Sequence, residues 1–294
     1  MLIKEGKTVV AQFDAGNTVR GFFTKGYFSN ASLNHVQVDL IRHIFHNLKK
    51  FSVATPLMET FKIQYIFRLP NDKREVIDLY LDAQTLDLIG DVPEELPTWT
   101  NLDFHQCPNC QLTIQTHPNC PVASHLVNIM TICKGLLSYD QIQVDIITPE
   151  RIVYRETTAQ KGFSSLIGLV MATSGCPHLS YLKPMARFHL PFASAEETVY
   201  RATSMYLLAQ YFLQKQGEKA DMELKGLAKI YHDIQRINEA MAGRLRAISD
   251  KDSALNALTL LDIFAKTLPF AIEDSLEEVH HLFKPYLKQQ SKNT

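Results

Sequence analysis

The stretch that most restricts the fold is "KIQYIFRLPNDKREVIDLYLD", residues 62–82. Ile63, Tyr65, Phe67 and Leu69 alternate onto one face. After the polar turn "PNDKRE", Ile77, Leu79 and Leu81 return on a matching face. A period of two over both arms specifies strands, and the short turn makes them neighbours in an antiparallel hairpin. Such a pair has one apolar face, which the rest of the chain has to cover.

A second hairpin is read in "QIQVDIIT-PE-RIVYRETT", residues 141–158. Ile142, Val144 and Ile146 point one way, and Ile152 and Tyr154 are expected to join them. Between the hairpins lies one helix, "PVASHLVNIMTICKGLL". Pro121 suits its first turn, where a missing N–H costs nothing. Val122, Leu126, Ile129, Cys133 and Leu136 form its buried stripe, which assigns Cys133 to the core.

From residue 160 the period becomes helical. "KGFSSLIGLVMATSG" is apolar nearly all round, so it predicts a central helix stopping at Gly175. Ser194 and Glu197 form a capping box that opens a helix running to Gly217. Its aromatic residues Tyr200, Tyr206, Tyr211 and Phe212 are expected in the core. Leu224, Leu227, Tyr231, Ile234, Ile237, Met241 and Leu245 share one face of the next helix, and two more are expected near 252–266 and 271–288. The predicted class is α+β: antiparallel hairpins with one inserted helix over 62–159, followed by a helical C-terminal half, 160–290, packed on the sheet. Residues 1–57 predict a small separate N-terminal α/β unit. It has strands at "TVVAQF" and "TVRGFFTKGYF" and a helix over 36–51. Met58 is an alternative natural start.

Composition bounds the function. The chain has 294 residues, 46% hydrophobic and 21% charged, enough for a sizeable core without staples. A net charge of −1 and a pI near 6.8 give no basic excess for nucleic acid. The most apolar run, 164–175, is shorter than the roughly 20 residues a bilayer needs. The opening "MLIKEGKTVVAQFDAGN" lacks the pattern of a signal peptide. A cytoplasmic protein is expected.

Five cysteines stand at 107, 110, 120, 133 and 176. In a reducing compartment such thiols serve metal binding or thiol chemistry rather than disulfides. "CPNC" and "HPNC" together spell C-x2-C-x6-H-x2-C. Cys107, Cys110, His117 and Cys120 are therefore the predicted metal ligands. Each tight turn aims two donors at one point, and four N/S donors suit a structural Zn²⁺. His105 and His125 are spares. An iron–sulfur cluster is the alternative; Cys107, Cys120 and Cys176 each precede a proline, and Cys176 could be a fourth sulfur.

A second constellation, "SGCPHLSYLKPMARFHLPFAS" (174–194), is a long connection between helices. Prolines 177, 184 and 191 are expected to hold it in extended turns. Cys176, His178 and His189 are its catalytic candidates, as a thiolate–imidazole pair or as further metal ligands. Lys183 and Arg187 are its candidates for binding a small anionic ligand. No P-loop, GxGxxG, HExxH, GxSxG or EF-hand pattern is present.

The motifs HQCPNC, CPVA and TSGCPHLSYLKPMARFHLPFA resemble an uncharacterised bacterial protein family, a domain of unknown function, over about residues 62–245. Proline would be expected where this chain has Gln111. The resemblance implies that both constellations belong to one domain; it brings no activity. The leading expectation is a metal-binding protein with a regulatory, ligand-binding or protein-interaction role. The rival is a metal- or cysteine-dependent enzyme using the 176–189 segment.

Overall fold

The structure, a computed structural model, describes residues 10–13 and 19–22, residues 60–248 except 91 and 134, and parts of 256–290. The chain divides into two compact units, Met1–Met58 and Glu59–Thr294. In the first, strands β1 (Val10–Phe13) and β2 (Val19–Phe22) pair antiparallel. The helix expected over 36–51 lies outside the described residues.

The second unit is built on a five-stranded antiparallel sheet in the order β5-β4-β3-β6-β7. Its strands are β3 (Thr60–Arg68), β4 (Arg74–Asp82), β5 (Leu88–Ile89), β6 (Gln141–Ile147) and β7 (Ile152–Thr158). The alternation seen in the sequence decides which face is covered. Ile63, Tyr65, Phe67, Leu79, Leu81, Val144 and Ile146 are all completely buried. The other face carries polar pairs such as Lys62–Asp78 and Arg68–Asp145, as a solvent-facing sheet surface should.

The cover is helical. Helix α1 (Pro121–Cys133) packs on α2 (Ala159–Thr173), the apolar central helix. Phe163 of α2 stacks on Phe67 with ring centroids 4.6 Å apart. Gly162 lets the two layers approach: a Cβ there would lie 2.7 Å from Cδ1 of Ile142. The short helix α3 (Lys183–Arg187) follows, then α4 (Ala195–Lys215) and α5 (Lys225–Ile248). The capping box at the start of α4 is complete. Ser194 N–H donates to Glu197 Oε2 at 2.7 Å, and Glu197 N–H to Ser194 Oγ at 3.1 Å. The two C-terminal helices lie largely outside the described residues. Helical positions there include Asn256, Thr259, Asp262 and Ala265, and α6 (Lys284–Gln290) closes the described chain.

Three expectations need correction. Ile152 and Tyr154 are 69% and 54% exposed. The register explains this: Ile142, Val144 and Ile146 pair with Thr157, Arg155 and Val153, so the covered face of β7 carries the odd-numbered residues. Second, Tyr206 is buried, but Tyr200, Tyr211 and Phe212 lie on the exposed side of α4. Third, the 176–194 connection is not held in extended turns. It forms a 3₁₀ turn at Ser180–Leu182 and then α3, with Pro184 in the first turn of that helix, where proline is tolerated.

Candidate functional site

Cys107, Cys110, Cys120 and Cys176 are free, half-buried thiols near one another, whereas Cys133 is buried in the core. Burial pushes the Cys107 thiol up to about 12, and the neighbouring sulfurs of Cys110, Cys120 and Cys176 push in the same direction. Burial raises Cys176 to about 11. The backbone N–H groups of Leu179 and His178 oppose this by donating toward its sulfur, while Cys120 and Cys110 reinforce it. The turn after Cys176 is closed by Leu179 N–H and Ser180 N–H, each donating to the Cys176 carbonyl at 3.1 Å. Among the described residues, no set of three or more His, Cys, Asp or Glu side chains is positioned as it stands to hold a metal ion.

Each thiol sits on a braced turn. In "CPNC", Cys110 N–H donates to Cys107 O at 3.0 Å. Asn109 in the same turn is held from two sides. Its carbonyl accepts from His178 Nε2 at 2.6 Å, and its Nδ2 donates to Asp233 Oδ1 on α5 at 3.0 Å. Cys120 is fixed by its N–H to Thr100 O at 2.7 Å, and Leu102 N–H reaches Pro118 O at 2.9 Å. These bonds, with the bridge Asn101–Asn119, close the base of the 101–119 loop.

Arg244 of α5 reaches the same loop from below. It is 2% exposed. Nη1 donates to the carbonyls of Trp99 and Asn101 at 2.6 and 2.7 Å, and Nη2 to Leu102 at 3.0 Å. Burial lowers its pKa, while Cys120, Cys107 and Cys110 favour its charge. A cation therefore stands beside three of the four sulfurs. His117 is exposed, with Nδ1 3.0 Å from Thr116 Oγ1. Of the spares, His105 packs edge-on to Phe104 against Gly243, and His125 lies within α1.

The 176–189 segment splits its candidates. Cys176 and His178 join the thiol region. Lys183 Nζ is paired with Asp87 Oδ1 at 2.6 Å. Arg187 lies 3.4 Å from Glu150 Oε1 and 4.4 Å above the Phe61 ring. Both cations thus tie α3 to the sheet. His189 points elsewhere: its Nε2 is 2.6 Å from the Tyr65 hydroxyl, which is 3.0 Å from Ser165 Oγ. Burial, then the nearby Arg201, lowers His189 to about 3, so its ring is neutral and accepts from Tyr65.

Residues 63–284, spanning all these groups, match the family described as "Domain of unknown function (DUF6901)". The chain belongs to the DUF6901 family. No curated protein and no solved structure matches it. Within the DUF6901 domain the spacing motif exposes three of the four neighbouring thiols. Cys176 stands 56 positions beyond Cys120 in the sequence, and only the fold brings it close. Arg244 carries no sequence signal beyond being polar beside the apolar stripe of a helix.

The DUF6901 domain also has a half-open cavity of about 580 Å³ between α2, α3, α4 and α5. His189 opens onto it, and Lys183 and Arg187 do not line it. Among the described residues, no helix is long and apolar enough to cross a membrane.

Proposed function

We propose that this chain is a structural zinc protein whose ion is held by Cys107, Cys110, Cys120 and Cys176. What supports this is that four free, half-buried thiols come from two distant segments that the His178–Asn109 hydrogen bond ties together. His117, the fourth donor expected from spacing, stays exposed and bonded to Thr116 in this reading. Ligation would turn the four side chains toward one point. The turns themselves are already braced by His178, Thr100 and Arg244.

The chemistry of the donor set fits. Zn²⁺ takes four sulfurs tetrahedrally and displaces their protons, so thiols that are neutral without metal become thiolates with it. Four thiolates leave a net charge of −2 on the site. Arg244 and the N–H groups at Cys176 offset part of it. With four protein donors no open position remains for catalysis, so the role is to pin the 98–120 loop to the start of the 176–182 segment. The wider protein would bind a partner or small ligand in the cytoplasm, where free thiols persist.

The test is metal analysis and absorption spectroscopy on anaerobically purified protein, followed by cobalt substitution. One zinc per chain, and cobalt bands of a tetrahedral all-sulfur site, support the proposal. A brown protein with iron and sulfide would replace zinc by a cluster on the same ligands. A metal-free protein with one fast-reacting thiol at Cys176 would favour the enzyme reading.

A further inference from the structure

The cavity behind α3 has a different chemistry from the thiol region and does not rest on the zinc reading. Its walls are mostly apolar and adaptable: Leu169, Met171, Leu179, Leu182, Met185 and Leu190. At about 580 Å³ it falls within the size range of small-molecule sites. Three of its charged lining residues face solvent, and the fourth, the half-buried Arg201, is tied to backbone carbonyls. Arg155, Lys161 and Glu197 are exposed, and Arg201 Nη2 is bonded to the carbonyls of Met185 and Phe188, each at 2.9 Å. His189 already accepts from Tyr65.

One lining group is unexplained. Asn238, on α5, is 1% exposed, and neither its Oδ1 nor its Nδ2 has a hydrogen-bond partner among the described residues. Buried amides in folded proteins are nearly always paired, so an unpaired one on a residue that lines the cavity points to a ligand, which the amide would meet by turning toward the cavity. Its side chain offers one acceptor and two donors in a plane. A complementary group presents a donor and an acceptor side by side.

We infer that this cavity binds a neutral, largely apolar small molecule bearing a planar donor–acceptor edge, such as a carboxamide or lactam, that pairs with Asn238. The apolar body fills the space between the methionine and leucine side chains. The edge satisfies both ends of the buried amide at once.

The test uses cyclic carboxamides, whose N–H and C=O lie side by side on one edge, each paired with a hydrocarbon of the same shape: 2-quinolone against naphthalene. Binding to the full chain is followed by calorimetry and thermal shift. Saturable carboxamide binding, at least tenfold tighter than that of the hydrocarbon partner, is expected. Asn238→Leu should lose that preference by about the same factor while remaining folded by circular dichroism. Gly168→Leu, which adds an isobutyl group at a lining position, should remove binding of both probes and serves if Asn238→Leu does not fold. No saturable carboxamide binding, or an unchanged preference in Asn238→Leu, would overturn the inference.

Discussion

His178 stands with its Nε2 2.6 Å from the carbonyl oxygen of Asn109, a residue 69 positions earlier in the chain. That bond joins the "CPNC" turn to the segment that carries Cys176. With Nδ1 3.8 Å from Asp233 Oδ2, the same ring also spans toward α5. It links the two halves of the thiol region and uses no sulfur.

His178→Ala should therefore loosen the site without removing a ligand. Losing a hydrogen bond of this kind costs about 1–2 kcal/mol. Outer-shell partners of metal ligands typically change affinity about 10–100-fold when removed. Chelator competition should show zinc leaving His178→Ala more readily than wild type, with urea unfolding shifted to lower concentration. Unchanged zinc retention would argue that the turn is held without His178.

Arg244→Met should be strongly destabilising. The guanidinium satisfies three loop carbonyls, and methionine fills the volume but donates nothing. Breaking such a buried charged network costs about 3–5 kcal/mol. Arg244→Lys should recover only part of this, because one ammonium cannot reproduce the planar fork at Trp99, Asn101 and Leu102. Chemical denaturation of both variants checks the order.

The neutral His189 makes a pH prediction. Its pKa in the folded protein is lowered to about 3, below the unfolded value near 6.5. Between these values the unfolded chain binds a proton that the folded chain refuses. Stability from this residue is therefore complete above about pH 6.5 and falls as pH drops toward 3. His189→Gln, which keeps an acceptor for Tyr65, should flatten that part of the urea-midpoint profile. A profile of equal slope in the variant would place the acid sensitivity elsewhere.

Ser194→Ala removes the hydroxyl that accepts from Glu197 N–H at the start of α4. A lost N-cap costs about 1 kcal/mol. Thermal unfolding should show that loss with zinc content unchanged, because α4 contributes no thiol.

The parts of this fold legible in the sequence are those set by local period. Strand alternation gives the covered face of β3, β4 and β6, where Ile63, Tyr65, Phe67, Ile77, Leu79, Leu81, Ile142, Val144 and Ile146 are all buried. The covered face of β7 was misassigned because pairing register, not composition, decides which of Ile152 and Val153 turns inward. The thiol region was legible as far as spacing reaches, to Cys107, Cys110 and Cys120. Cys176, His178 and Arg244 meet those turns only through tertiary packing. Lys183 and Arg187 looked like ligand-binding cations because their partners Asp87 and Glu150 lie 96 and 37 positions away. Asn238 had no signal at all: beside an apolar stripe, an asparagine reads as a boundary residue until its burial is known.

The central claim is that Cys176, and not His117, completes the metal site. The most direct measurement is zinc stoichiometry in two purified variants, Cys176→Ser and His117→Ala, beside wild type. The four-sulfur site predicts one zinc per chain in wild type and in His117→Ala, with zinc lost or sharply weakened in Cys176→Ser. Zinc retained in Cys176→Ser and lost in His117→Ala would contradict it.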